Sequence, residues 1–368
     1  MEVANIVKNG IDILDIGSLK KYRIGLVVNY SSVNSNGELL IDLLIANGIE
    51  LMKIFVPEHG LYIANDGEKV VDFVHPKLGI PVYSIYGTRE RVECELLRDI
   101  DLLIYDIQDV GLRYYTFIYA LANMLRSASM CGIKMLVLDR FNLLGRKVFG
   151  PRISKDINSL VGAYELPVQY GLTTGELALY FKKYMKLDVD LGIVRCECWN
   201  GEDFSETGLR WNLPSPNLPT FSSLLCYVGL CLFEATNLSV GRGTTKPFEF
   251  LGAPWVDEDD MYRYLRSNFP RLFIRKRQFT PQFREYAHSV CNGVEFFPST
   301  DDNFFEVVVA LFRYFEKYEE FEIDNRSIDM LSGVENFVQN KENILQFDVE
   351  DYQEFVEDIL LYKVPLRF

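Results

Sequence analysis

The first 140 residues alternate short apolar runs with stretches that have helical periodicity. The apolar runs, rich in Val, Ile and Leu, predict buried strands at residues 23–29, 51–56, 81–86, 101–107 and 134–138. The stretches between them predict helices at residues 38–46, 91–98 and 114–130. Strands that are apolar on both faces and alternate with helices are typical of a parallel sheet covered on both sides. This half of the chain is therefore predicted to have an α/β fold.

The pattern changes in the second half. Residues 210–254 are dense in Pro, Gly, Asn and Thr, which predicts a long and functional loop, because its interleaved aromatic residues argue against disorder. After Trp255, helices at 257–266 and 305–318 and strands at 272–277 and 293–297 predict a smaller α+β domain. We therefore predict two domains, residues 1–250 and 251–368.

Composition excludes several classes of partner. A net charge of −14 argues against nucleic acid and anionic membranes, since both need a basic face. Seven Cys without a regular spacing and three dispersed His leave a transition metal without ligands, so no metal and no cofactor is expected. Without an apolar segment that could act as a signal or cross a bilayer, we expect a cytoplasmic protein with reduced, buried thiols. The sequence does not decide whether the protein forms a homodimer.

Polar residues, mostly acidic, follow several of the predicted strands. They are Asn29, Glu58, the segment 106–109, Asp139 and Arg140. In doubly wound sheets, ligands bind at the carboxyl ends of strands, so these side chains are candidates for one site. The alternative is that the acids only cap the following helices.

Two segments carry the sharpest chemical signal. In residues 56–60 (VPEHG), Pro57 ends a strand and Gly60 permits a tight turn, which fixes Glu58 at the edge of the sheet. Residues 106–116 (DIQDVGLRYYT) place two carboxylates, an amide, an Arg and two Tyr together. Glycosidases need a carboxylic acid beside the scissile oxygen, and sugars are bound by planar polar groups and aromatic rings.

These segments, in this order, resemble the NamZ-type exo-β-N-acetylmuramidase family, glycoside hydrolase family 171. The similar segments cover nearly the whole chain, and the most specific are PEHG at 57–60, D-x-Q-D-x-G-x-R-x-Y-T at 106–116, G-x-T-x-G-E-L-A at 171–178, PSPN at 214–217, G-R-G-T-x-x-P at 241–247 and GAPW at 252–255. The resemblance implies a Rossmann-like, mostly parallel sheet domain with a smaller C-terminal auxiliary domain. It also implies release of terminal N-acetylmuramic acid from the non-reducing ends of peptidoglycan fragments, with Glu58 as the leading catalytic candidate.

The matched segments supply a set of candidate site residues. We predict Glu58, Asp106 and Asp109 as catalytic, although Asp106, Asp109, Asp139 and Glu176 all remain open as the second carboxylate. The predicted substrate-binding residues are His59, Gln108, Arg113, Tyr114, Tyr115, Asp139, Arg140, Glu176, Asn217 and Arg242. The lactyl carboxylate of N-acetylmuramic acid needs a local cation in so acidic a protein, and Arg113, Arg140 and Arg242 are the candidates.

Two departures from the family pattern concern the substrate. The usual D-R-P-N is Asp139-Arg-Phe-Asn142 here, and the common H-G-M-T is Tyr170-Gly-Leu-Thr173. A hexosaminidase for a different glycoside is therefore one alternative. A sugar-binding protein that has lost catalysis is another. A nucleotide-dependent transferase is disfavoured, because residues 241–247 lack the phosphate-loop spacing.

Overall fold

A seven-stranded sheet forms the centre of the first structural unit. The computed structural model describes residues 6–63, 70–87, 92–155, 159–347 and 349–368. The strands of this sheet are β1 (Ile24–Val28), β2 (Leu51–Val56), β3 (Phe73–Val74), β4 (Pro81–Ser84), β5 (Leu102–Asp106), β6 (Lys134–Leu138) and β9 (Leu191–Val194). Their order is β3-β4-β2-β1-β5-β6-β9, and every pair is parallel except β3 with β4. The predicted α/β class with a mostly parallel sheet is confirmed.

Helices connect these strands, as parallel pairing requires. They are α1 (Leu40–Ala46), α2 (Cys94–Leu97), α3 (Phe117–Cys131) and α4 (Thr174–Tyr184). A further helix of this unit, α10 (Val349–Val356), follows the last strand of the chain. The central strands β1 and β5 are buried at every residue, which explains why they appear in the sequence as unbroken apolar runs. Their carboxyl ends share one edge of the sheet with those of β2 and β6, and this edge carries the polar residues singled out above.

The second unit contains an antiparallel sheet and five helices. Its sheet has the order β10-β12-β11, formed by β10 (Phe250–Ala253), β11 (Ile274–Phe279) and β12 (Cys291–Phe296). Its helices are α5 (Phe221–Leu230), α6 (Glu258–Asn268), α7 (Phe304–Phe315), α8 (Asn325–Ser332) and α9 (Phe337–Asn340). Two short strands, β7 (Val148–Phe149) and β8 (Gln169–Tyr170), lie where the chain passes from one unit to the other.

The units divide the chain differently from the predicted domains 1–250 and 251–368. The first unit comprises Met1–Val148, Tyr170–Pro216 and Val349–Phe368, and the second comprises Phe149–Gln169 and Asn217–Asp348. A boundary read along the sequence misses this arrangement, because the last 20 residues return to the first unit. There the Tyr362 hydroxyl and the Leu361 N–H hydrogen-bond to buried carboxylates of Asp139 and Glu176.

Most predicted elements agree with the structure to within a few residues. The predicted helix at 91–98 corresponds to α2, although Arg91 itself lies outside the described residues. The prediction of one long loop over 210–254 is wrong, since α5 and β10 lie inside it. Thr220 caps α5 by accepting a hydrogen bond from the Ser223 N–H, so the Pro- and Asn-rich segment in front of it ends at a helix.

The expectation that all thiols are reduced is also wrong. Cys94 in α2 and Cys131 at the end of α3 form a disulfide, with their Cα atoms 5.3 Å apart. The two residues are 37 positions apart in sequence, and packing of α2 against α3 brings them together. Sequence spacing alone could not identify this pair, because pairing depends on the tertiary contact of two helices.

None of the helices in the described ranges combines the length and apolar character needed to span a bilayer.

Candidate functional site at the carboxyl edge of the sheet

Glu58 lies on a strained turn directly after β2. The backbone φ angles of His59 and Gly60 are both 68°, and that of Ile63 is 53°. Left-handed backbone costs a residue with a side chain roughly 1–2 kcal/mol, and such conformations cluster at functional sites. The Gly60 N–H closes the turn by donating to the Pro57 carbonyl at 3.1 Å. The sequence VPEHG therefore presents a half-buried Glu58 side chain at the edge of the sheet.

Two hydroxyl groups hold the Glu58 carboxylate. The Thr116 Oγ1 donates to Glu58 Oε2 at 2.6 Å, and the Tyr86 hydroxyl is also hydrogen-bonded to Glu58. Burial, followed by the nearby Glu58 carboxylate, raises the pKa of Tyr86 well above its usual value, so this phenol stays protonated and donates. Both of these donors are neutral hydroxyl groups.

Asp106 and Arg140 form a buried ion pair. Arg140 Nε donates to Asp106 Oδ1 at 2.6 Å and its second terminal nitrogen donates to Asp106 Oδ2 at 3.0 Å, while Arg140 is 3% exposed and Asp106 is fully buried. The same Arg140 nitrogen reaches the carbonyl of Val33 at 3.1 Å. The pair joins the end of β5 to the end of β6, and both carboxylate oxygens of Asp106 are occupied.

Asp109 is buried on the loop after β5 and is held through one oxygen. Asp109 Oδ2 accepts hydrogen bonds from the Tyr170 hydroxyl and, at 2.9 Å, from the Gly111 N–H. Burial raises the pKa of Asp109 to about 6, against the opposing effect of the Tyr170 hydroxyl and of the Gly111 and Val110 N–H groups. Tyr170 is the residue that replaces the family's common His, and its hydroxyl now contacts a predicted catalytic acid.

Asp139 and Glu176 are both buried around the start of α4. Thr173 and Glu176 form a capping box, and Glu176 also makes a bidentate pair with Arg146 at 2.5 and 2.8 Å. Asp139 accepts from Thr173 Oγ1, the Gly175 N–H and the Tyr362 hydroxyl. Burial raises the pKa of Asp139 to about 7. All four of their carboxylate oxygens are therefore engaged inside the protein.

The remaining predicted residues occupy three kinds of position. Arg113, Tyr114 and Tyr115 are almost fully buried on the loop before α3, and burial lowers the pKa of Arg113 to about 10, which leaves it charged at neutral pH. Gln108 donates to two backbone carbonyls, and the His59 ring lies 6.3 Å from the Phe117 ring. Asn217 and Arg242 belong to the second unit, where Arg242 is paired with Glu234.

A cavity of about 300 Å³ opens at the ends of β1, β5 and β6. Of the predicted residues, only Gln108 and Arg140 line it, and Glu58 does not. Glu58 and the cavity are neighbours along the edge, because the Tyr30 N–H donates to Leu61 beyond the Glu58 turn, and Asn212 of the cavity donates to the Tyr30 and Ser31 carbonyls.

Most of the polar and aromatic residues that line this cavity were not predicted from the sequence. They include Asn9, Ser31, Asn34, Arg210, Trp211 and Asn212. Arg210 to Asn212 open the segment that was predicted to be functional, but its first matched motif begins at Pro214. No group of three His, Cys, Asp or Glu arranged for a metal occurs in the part of the chain that the structure describes.

Comparisons with known proteins agree with this architecture over most of the chain. Residues 24–222 match the family model for the N-terminal part of exo-β-N-acetylmuramidase NamZ, and residues 225–362 match that for its C-terminal part. The peptidoglycan β-N-acetylmuramidase NamZ of Bacillus subtilis strain 168 is 38% identical over 351 residues, which are 89% of this chain and 85% of that protein.

Two crystal structures of DUF1343 family proteins from Bacteroides fragilis have the same fold. One is 27% identical with a TM-score of 0.83, covering 98% of this chain and 100% of the other. The second is 26% identical with a TM-score of 0.78, covering 97% and 99%. The resemblance inferred from the sequence segments is confirmed, and the chain belongs to the NamZ family of exo-β-N-acetylmuramidases.

Proposed function

We propose that this protein is an exo-acting glycosidase that releases terminal N-acetylmuramic acid from the non-reducing ends of peptidoglycan fragments. The observation that carries the proposal is the Glu58 carboxyl group, held at the sheet edge by Thr116 and Tyr86 on a turn with three left-handed residues. The Bacillus subtilis relative, a peptidoglycan β-N-acetylmuramidase by name, supports the same reaction. A binding protein has no need for a strained, hydroxyl-held carboxyl group.

In the proposed reaction Glu58 is the general acid. Its carboxyl group gives a proton to the glycosidic oxygen as the bond to the anomeric carbon breaks. The resulting carboxylate is stabilised by the Thr116 and Tyr86 hydroxyls and then takes a proton from the attacking water. Both of these donors are neutral, so their hydrogen bonds to Glu58 do not depend on an ion pair.

A pair of isomeric disaccharides tests the proposal. The purified chain is incubated with N-acetylmuramyl-β-1,4-N-acetylglucosamine and, separately, with the disaccharide in which the two sugars are exchanged. We expect free N-acetylmuramic acid from the first and no cleavage of the second. Binding of the first disaccharide without cleavage would instead support a catalytically silent sugar-binding protein. Equal cleavage of both would support a less selective hexosaminidase.

The cytoplasmic location inferred from the sequence stays a proposal. The Cys94–Cys131 disulfide counts against it, because glutathione keeps cytosolic thiols reduced. Mass spectrometry of the native protein, after rapid alkylation in its own cells, would show whether Cys94 and Cys131 are reduced or joined. Alkylated Cys94 and Cys131 would support the cytoplasm, and an intact disulfide would support an oxidising compartment.

Removing the Thr116 hydroxyl should lower turnover without unfolding the protein. Thr116→Val keeps the shape of the side chain but deletes the 2.6 Å hydrogen bond to Glu58. A hydrogen bond to a charged group contributes about 1.5–3 kcal/mol, so we expect kcat to fall about 10- to 100-fold. Thr116→Ser, which retains the hydroxyl, is the matched control and should keep most of the activity. Equal kcat values for the two variants would show that the bond to Glu58 plays no part.

Activity should survive chelators. The described residues contain no group of three His, Cys, Asp or Glu suited to a metal, and the buried carboxylates of Asp106, Asp139 and Glu176 already have hydrogen-bond partners. We therefore expect the same rate of N-acetylmuramic acid release before and after dialysis against EDTA. A loss of rate that magnesium or calcium restores would contradict this prediction.

A further inference from the structure

Two buried oxygen atoms on the loop before α3 have no hydrogen-bond partner among the described residues. They are Asp109 Oδ1 and the Tyr115 hydroxyl, on side chains that are each only 5% exposed. The Tyr115 hydroxyl lies beside Ser215 but makes no hydrogen bond of acceptable geometry with it. An unsatisfied buried polar group costs about 1–3 kcal/mol, and native proteins contain few of them. The two oxygen atoms lie on one short loop and therefore call for a common explanation.

The loop that carries both residues is the one that holds Glu58. Thr116, which donates to Glu58, follows Tyr115 directly, and the Phe117 ring contacts both the Tyr115 ring at 4.6 Å and the His59 ring at 6.3 Å. After burial, the Asp109 and Glu58 carboxylates both contribute to raising the pKa of Tyr115, so its hydroxyl lies within electrostatic reach of each. The two unpaired atoms therefore belong to the surroundings of the catalytic candidate.

The two atoms are chemically complementary. An ionised Asp109 Oδ1 can only accept a hydrogen bond, whereas the protonated Tyr115 hydroxyl can donate one. A secondary amide offers the matching pair, an N–H donor and a carbonyl acceptor. An anionic group such as the lactyl carboxylate is unsuitable here, because it would face the Asp109 charge. The 2-acetamido group of the substrate is the part of an N-acetylhexosamine that meets both requirements.

We propose that Asp109 Oδ1 and the Tyr115 hydroxyl bind the 2-acetamido group of the substrate and aim its carbonyl oxygen at the anomeric carbon as the nucleophile. This inference rests on the proposed function. It assigns Asp109 to the amide N–H and Tyr115 to the amide carbonyl, and leaves Glu58 as the acid and base. The acetamido group replaces the second carboxylate as nucleophile.

The state of the other candidate acids supports this assignment. Both oxygens of Asp106 are held by Arg140, and both oxygens of Asp139 and of Glu176 accept hydrogen bonds from the protein. All three side chains are fully buried. Freeing one of them to attack a sugar would break an ion pair or a helix cap, which makes each a poor nucleophile.

The two steps balance as a hydrolysis. In the first, the acetamido oxygen forms a bond to the anomeric carbon, the glycosidic C–O bond breaks, and Glu58 protonates the departing oxygen. In the second, water attacks the anomeric carbon and gives a proton to Glu58, while the bond to the acetamido oxygen breaks and the amide is restored. Two displacements at one carbon return the β-configuration, so the enzyme is a retaining one.

Product stereochemistry and substrate electronics test the inference together. Proton NMR during the first minutes of cleavage should detect the β-anomer of N-acetylmuramic acid. Replacing the N-acetyl group by N-trifluoroacetyl should lower kcat steeply, because fluorine makes the carbonyl oxygen a poorer nucleophile. An α-anomer, or a kcat that does not respond to fluorination, would overturn the inference while leaving the proposed function intact. Absence of N-acetylmuramic acid release by the unmodified protein would instead refute the proposed function.

A pair of Tyr→Phe variants separates a substrate contact from a structural role. Tyr115→Phe deletes a hydroxyl that has no hydrogen-bond partner, so the thermal midpoint of the variant should be unchanged or higher. Its kcat should fall about 10²- to 10³-fold, as is usual when a hydrogen-bond donor to the transition state is lost. Tyr119→Phe is the matched control, because its hydroxyl donates to the Arg113 carbonyl at 2.9 Å, and it should lose stability but keep its kcat. Asp109→Asn should lower kcat to a similar degree. A Tyr115→Phe variant with normal kcat would overturn the inference.

Discussion

Glu58→Gln should reduce turnover of the muramyl disaccharide by about 10²- to 10⁴-fold, the usual contribution of a general acid. The amide has the shape of the carboxyl group and can still accept a hydrogen bond from Thr116, so the turn and the fold should persist. What the variant lacks is the acidic proton that the glycosidic oxygen needs. The measurement is kcat on the disaccharide, with the thermal midpoint as a check on folding.

An activated substrate separates the role of Glu58 as an acid from other roles. A 4-nitrophenyl glycoside departs without protonation, so Glu58→Gln should lose far less of its first-step rate on this substrate than on the disaccharide. Glu38→Gln, on an exposed carboxylate after β1, is the matched control and should behave as the unmodified protein. Near-normal turnover of both substrates by Glu58→Gln would remove Glu58 from the mechanism.

The sheet could be predicted because burial on both faces leaves a clear record in the sequence. The predicted strands 51–56 and 134–138 match β2 and β6 residue for residue. The edge strand β9 was not predicted, since its four residues are only partly buried and contain a Gly. The helix α5 was hidden by the Pro-, Asn- and Ser-rich segment that precedes it.

The candidate site could be predicted only in part, for a different reason. Sequence position placed Glu58, Asp109 and Arg140 at the ends of neighbouring strands, but it could not tell which charges neutralise one another. Pairing of Arg140 with Asp106 and of Arg146 with Glu176 joins residues more than 25 positions apart. The disulfide could not be predicted for the same reason. Nor could the cavity residues Trp211 and Asn212, because their neighbours come from other loops.

These pairings change the expected effect of replacing Arg140, which the sequence suggested as an anchor for the lactyl carboxylate. Arg140→Leu would leave the Asp106 carboxylate buried without its cation. Removing one partner of a buried ion pair costs about 3–5 kcal/mol, so we expect the free energy of unfolding, measured with urea, to fall by that amount. Replacing both partners by Leu should restore much of the loss, because no charge is then buried unpaired.

Kinetics of the same variant distinguish a structural partner from a substrate anchor. If Arg140 is a structural partner, kcat/KM measured below the unfolding transition should change by the same factor for N-acetylmuramyl and N-acetylglucosaminyl glycosides. Arg210, whose exposed side chain lines the cavity, is the companion variant, because Arg210→Leu removes a cation without breaking a described ion pair. We expect Arg210→Leu to affect the muramyl substrate more, since only that sugar carries the lactyl charge. A selective loss for the muramyl substrate in Arg140→Leu, with unchanged stability, would contradict this assignment and return Arg140 to the role of anchor.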